Sequence, residues 1–118
     1  MNRKPLNKIS DEDIATYNDK GVVCLRQMFD KDWVDRMHAA SFGYMDQDKG
    51  NHRKREARIP GEDARFYINT FMSHYDSEFL DFRNNSPAAE IGATLMGADR
   101  VRYWYEQMFI KDAETSAP

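Results

Sequence analysis

A chain of 118 residues, 41% hydrophobic and 13% aromatic, is one domain at most and has enough apolar mass for a core. Its net charge of −3, from 17 basic and 20 acidic side chains, excludes a global basic field for nucleic acid or an anionic membrane. Cys24 is the single cysteine, which excludes an intrachain disulfide, and no apolar run approaches the roughly 20 residues of a membrane helix.

Met1-Asn2-Arg3-Lys4-Pro5 is charged but no apolar stretch follows it, so no secretory signal is read there. With the lone thiol, these features predict a cytoplasmic protein without nucleic-acid or membrane partners. Residues 1–9 read as a loose basic lead-in, 10–111 as the folded part and 112–118 as a polar tail.

Ser10-Asp11-Glu12-Asp13 starts a helix, with a hydroxyl cap and acids in the first turn. The helix stops near Lys20-Gly21, and Ile14 and Tyr17 share its buried side. Val22-Val23-Cys24-Leu25-Arg26 is β-branched and mostly apolar, which predicts a strand with Cys24 as a small buried hydrophobe. Asp30 caps a second helix that carries Val34, Met37, His38 and Ser41 at helical spacing and fades around Phe42-Gly43-Tyr44. On that face His38 reads as a packed histidine with one hydrogen bond, in preference to a ligand.

Residues 46–64 are polar and charged, with Gly50, Pro60 and Gly61, and predict a long loop. Its basic cluster, His52-Arg53-Lys54-Arg55 with Arg58, is balanced by Glu56, Glu62 and Asp63. It reads as solvated in preference to contacting an anionic substrate. Arg65 to Phe71 predicts a strand, and Asp76 to Phe82 a short helix with Phe79, Leu80 and Phe82 on its apolar side. His74-Tyr75-Asp76 is a His-x-Asp triplet, but a facial iron site needs another histidine converging on the same metal. Only His38 and His52 remain, both upstream, so Asp76 reads as a helix cap.

Ser86-Pro87 opens a further helix, and Gly97 closes it with a left-handed cap. Val101 to Lys111 predicts a long aromatic strand. By alternation Val101, Tyr103, Tyr105, Gln107, Phe109 and Lys111 share one face, and Arg102, Trp104, Glu106, Met108 and Ile110 the other. Polar groups among aromatics on both faces predict that one face looks into a partly polar cavity. There Gln107 must satisfy its amide or bear a desolvation cost.

Four segments carry a family resemblance: Ser10-Asp11-Glu12-Asp13 through Gly21 to Val22-Val23; Arg65-Phe66-Tyr67 to Phe79-Leu80-Asp81-Phe82; Ser86-Pro87-Ala88-Ala89-Glu90 through Leu95-Met96-Gly97; and Glu106-Gln107-Met108-Phe109-Ile110-Lys111. Over residues 9–111 the chain resembles the phytanoyl-CoA dioxygenase family of iron(II)- and 2-oxoglutarate-dependent oxygenases. The resemblance implies an α+β chain: the N-terminal part of a double-stranded β-helix (jelly-roll or cupin-like) fold with outer helices and an incomplete barrel. In that family a Trp-His-x-Asp segment follows the lysine matching Lys111, whereas here Asp112 to Pro118 follows. The iron ligands, the distal histidine and the 2-oxoglutarate-binding arginine are therefore expected outside this chain.

The resemblance also implies Gln107, Tyr105 and Lys111 as cosubstrate-binding residues, with Phe109, Tyr67 and Asn69 lining the substrate pocket. Tyr67 stands where family members can have lysine. No catalytic residue and no metal ligand is implied within the chain. Iron(II) and 2-oxoglutarate belong to the complete enzyme, which would hydroxylate a small organic substrate, and no cofactor is expected for this chain alone. The alternative is a non-catalytic binding or assembly module, a half-domain that forms a homo-oligomer through its open sheet edges.

Overall fold

The computed structural model describes residues 1–113 except 48, 54 and 62. It contains helices α1 (Asp11–Lys20) and α2 (Lys31–Asp46), strands β1 (Arg55–Arg58) and β2 (Arg65–Thr70), and a 3-10 turn at Met72–His74. Helices α3 (Ser77–Asn85) and α4 (Ala88–Leu95) and strand β3 (Gln107–Lys111) follow. The expected α+β class is what these elements form. The three strands make one open antiparallel sheet in the order β1-β2-β3. Among the described residues no helix is long and apolar enough to cross a membrane.

Local chemistry fixes the helix ends. The Ser10 side chain accepts from the Asp13 amide while the Asp13 carboxylate accepts from the Ser10 amide, a reciprocal capping box. Asp30 accepts from the Trp33 amide at 3.0 Å, and Asp76 from the Glu78 amide at 2.8 Å. The Trp33 amide also holds the Asp30 carboxyl below the usual carboxylate range, opposed by partial desolvation and helped by Asn2. Gly21 (φ +70°) ends α1 in the left-handed region that glycine enters without a Cβ penalty.

The lead-in is not loose. The Asn2 amide donates to the Asp30 carboxylate, the Asn2 side chain donates to the Met28 carbonyl at 2.8 Å, and the Trp33 indole donates to the Asn2 carbonyl at 2.8 Å. Ile9 is buried. The expected strand at Val22–Arg26 is absent. That segment runs beside the lead-in, with the Leu6 amide donating to the Met28 carbonyl and the Asn7 side chain donating to the carbonyls of Arg26 and Gln27. With no sheet over it, Val22 and Cys24 are exposed, so Cys24 is not the buried hydrophobe expected.

Helix α2 runs past Phe42-Gly43-Tyr44 because Tyr44 and Met45 are buried and hold its last turn in the core. The expected long loop contains β1, which pairs Arg55 to Ile68 and Arg58 to Arg65 in a hairpin. The long aromatic strand shortens to Gln107–Lys111. Its partner β2 stops at Thr70, where Phe71 (φ +60°) turns the chain into the 3-10 turn, so residues 101–105 have no ladder to join.

The core lies between the helices and one face of the sheet. Tyr44, Met72 and Phe79 form its buried centre, with Met37, Ala40 and Met108 packed around them. Trp33 meets Phe82 edge-on at 5.3 Å, and Phe82 stacks on Phe29 at 5.6 Å. The Arg36 guanidinium bonds the carboxylates of Glu78 and Asp81, tying α2 to α3.

Candidate small-molecule site beside the open edge of the sheet

Directly opposed residues in an antiparallel pair share a face. The register pairs Thr70 with Gln107, Ile68 with Phe109 and Phe66 with Lys111. These six side chains therefore lie on the bare face, where Gln107, Phe109 and Lys111 are exposed and Phe109 stacks on Phe66 at 6.0 Å. Tyr105 lies just outside β3, half exposed, its ring 6.3 Å from that of Phe71. The Gln107 amide has no hydrogen-bond partner among the described residues. It avoids the desolvation cost by facing water.

Tyr67 pairs with Ile110 and Asn69 with Met108, which puts both on the opposite, helix-covered face. They are 0% and 1% exposed. The six expected pocket residues thus divide across the sheet, and Tyr67 and Asn69 do not line a surface shared with Gln107, Tyr105, Phe109 and Lys111. Instead they belong to a buried polar network. The Asn51 amide donates to the Tyr44 hydroxyl at 3.2 Å and to the Asn69 carbonyl oxygen at 2.9 Å. The Asn69 amide in turn donates to the Tyr67 hydroxyl at 3.0 Å.

Burial pushes the Tyr44 and Tyr67 phenols above the ordinary value, against the lowering effect of the hydrogen bonds they accept. In the unfolded chain both ionise near about pH 10. Above that pH the folded state holds more protons than the unfolded state, so stability falls as pH rises. Chemical denaturation between neutral pH and pH well above 10 is expected to show this loss, and Tyr44→Phe to shrink it. A wild-type stability that stays flat across that range is the contrary result.

Next to the bare face, a groove of about 740 Å³ runs between α2, α3, residues 101–106 and β3. Met37, Phe79, Phe82, Tyr103, Tyr105 and Gln107 are among its walls. A second depression of about 430 Å³ continues along β3 past Val34, Phe42 and Ile110 and shares Met37, Met108 and Phe109 with the first. The rim carries few polar groups. The Glu106 carboxylate accepts from the Ser73 amide at 2.6 Å and from the Tyr103 hydroxyl. Arg83 donates to the Ser73 hydroxyl at 3.0 Å and lies 4.6 Å over the Tyr103 ring. Arg102 and Gln107 are among the polar side chains of the groove's lining that stay open to a ligand, with Ser41 and Tyr105. The α3 wall, with Phe79, Phe82 and Arg83, was not legible as a pocket wall in the sequence. Helical periodicity marks a buried side but not which part of it stays uncovered.

No three histidine, cysteine, aspartate or glutamate side chains among the described residues are grouped so as to hold a metal ion. His38 is exposed with its ring 4.7 Å from Phe42, so it is not the packed residue expected. His74 leans on Phe71 and Tyr103, and Asp76 caps α3 while pairing with Lys49 at 3.3 Å. The described residues do not fit an iron centre. In the basic cluster, Arg53 covers the Phe71 ring at 4.6 Å and Arg55 donates to the His52 carbonyl at 3.3 Å. Lys54, the Arg58 side chain and tail residues 114–118 lie outside what the structure describes.

Searches against protein-family models, curated proteins and solved structures returned no match to this chain.

Proposed function

We propose that the chain is the outer-helix and first-strand portion of an iron(II)- and 2-oxoglutarate-dependent oxygenase that hydroxylates a small organic substrate. One observation carries the reading. Among the described residues helices cover a single face of the sheet, while the other face carries no helix, holds Gln107, Phe109 and Lys111, and adjoins an apolar groove. That division suits a barrel wall whose inner face awaits the strands that close a pocket. Small-molecule sites are mostly apolar with a few placed polar groups, and here Gln107 and Arg102 are those groups. The metal ligands, and with them the oxidative chemistry, come from a segment other than the described residues. What this chain contributes is shape, exclusion of water and hydrogen-bond donors.

Translating the coding DNA beyond residue 118 tests the reading. A continuation with a His-x-Asp pair and a later histidine, whose product forms succinate from 2-oxoglutarate with iron(II), supports it. A continuation without such ligands, or robust 2-oxoglutarate turnover by the 118 residues alone, overturns it. In an active product, Gln107→Leu is expected to raise the KM for cosubstrate or substrate about tenfold, the equivalent of one hydrogen bond. An unchanged KM for both removes Gln107 from the pocket.

A further inference from the structure

Among the described residues strand β3 is one of the two edges of the sheet, β1 being the other, and its hydrogen bonds to β2 show which way its backbone groups point. The Phe71 amide donates to the Glu106 carbonyl at 3.1 Å, and the Asp112 amide to the Arg65 carbonyl at 2.9 Å. Bonding alternates along an antiparallel ladder, so the even-numbered residues of β3 bond β2. The N–H and C=O of Gln107 and Phe109 therefore point outward from the edge. Beside this edge, α2 presents Val34, His38 and Phe42 at successive turns, all exposed and all lining the second depression with Phe109 and Ile110. An open edge and an apolar helical stripe thus bound the same trough. An exposed edge of this kind is a template for another strand.

We propose that two copies of this chain pair their β3 strands antiparallel about a two-fold axis at Phe109, forming one six-stranded sheet with the α2 stripes brought together beneath it. The occupant is a second copy because the strand is complementary to itself in this register. Phe109 falls opposite Phe109 of the second copy, so the outward N–H of each Phe109 meets the outward C=O of the other. Gln107 falls opposite Lys111, and Met108 opposite Ile110, so no like charges oppose one another. The Phe66–Phe109 stack becomes a row of four rings on the outer face, covering a Phe109 that is 57% exposed in the single chain. On the inner face, Met108 and Ile110 of each copy close the trough. An interface of this kind is isologous, as the commonest dimers are. It engages the edge of the sheet together with Phe109 of the bare face, and its test reads association and register, not turnover, so its failure is distinguishable from that of the oxygenase reading.

Site-directed cross-linking reads the register. In a Cys24→Ser background the chain has no other thiol. Phe109→Cys is expected to form a disulfide dimer under mild oxidation, because hydrogen-bonded antiparallel partners sit about 5.5 Å apart at Cα, within disulfide range. Gln107→Cys alone is expected not to cross-link, since the two positions would lie about 14 Å apart. A mixture of Gln107→Cys and Lys111→Cys chains is expected to cross-link. Sedimentation of the unmodified chain is expected to give twice the protomer mass. Phe109→Lys, a change at an exposed position, is expected to weaken that dimer at least tenfold by setting two ammonium groups across the axis. A monomer at every concentration tested, a dimer untouched by Phe109→Lys, or cross-links at Gln107 alone without those at Phe109 overturns the proposal.

Discussion

Replacing Trp33 with alanine is expected to lower the unfolding free energy by about 3–5 kcal/mol, the range for truncating a buried large aromatic. Trp33 is 2% exposed and joins three parts of the chain. Its ring meets Phe82 of α3, its face carries the Arg36 guanidinium at 5.6 Å, and its indole N–H holds the Asn2 carbonyl. Typical domains are stable by only about 5–15 kcal/mol, so the variant should be close to unfolding at ambient temperature. Trp33→Phe separates packing from hydrogen bonding. It retains most of the ring but not the donor, and should lose about 1 kcal/mol, the net worth of one hydrogen bond. Urea unfolding at an unchanged denaturant slope is the measurement. A loss under about 1 kcal/mol for the alanine variant would show that the lead-in and α3 do not depend on this side chain.

Asn69→Ala is expected to have the second largest effect, roughly 2–4 kcal/mol, because it strips partners from more than one buried group at about 1–3 kcal/mol each. The Asn69 side chain accepts from the Asn51 amide and from its neighbour Thr70, and donates to the Tyr67 hydroxyl. Asn51 also donates to the Thr70 carbonyl, so the network fastens the segment before β1 to the end of β2. Thermal and chemical unfolding should both register the loss. Ligand affinity per folded molecule should not change, since Asn69 is buried beneath the sheet and is not among the groove's walls. An Asn69→Ala protein of native stability with weakened ligand binding would return this residue to the pocket.

What could be read in advance was local. The Ser10, Asp30 and Asp76 caps and the glycine stops at Gly21 and Gly97 each involve groups within a few residues, and all appear as expected. The odd-numbered residues of β3 also share the open face, as alternation requires. Pairing between distant segments was not legible. Val22–Arg26 and residues 101–105 have the composition of strands but pair with no strand among the described residues, while Arg55–Arg58, charged and short, becomes a strand because β2 lies beside it. Composition favours extension, but a strand exists only where another strand answers it. The family resemblance implied Tyr67 and Asn69 as pocket lining, and nothing local in the sequence could show which face they take. Their face depends on the register of β2 against β3, and a shift of one residue would reverse it.

Phe71 holds a bulky side chain at φ +60°, a geometry that costs an L-residue about 1–2 kcal/mol. The hydrogen bond its amide donates to the Glu106 carbonyl and the Arg53 guanidinium over its ring retain it there. Along the β2–β3 register Tyr105, Trp104 and Tyr103 fall opposite Met72, Ser73 and His74, a ladder that would continue were Phe71 to relax. The corner at Phe71 therefore sets where the ribbon ends. Hydrogen–deuterium exchange should find the amides of 103–105 quick and those of Met108 and Ile110 slow, and Phe71→Gly, by easing the corner, should leave the short ribbon in place.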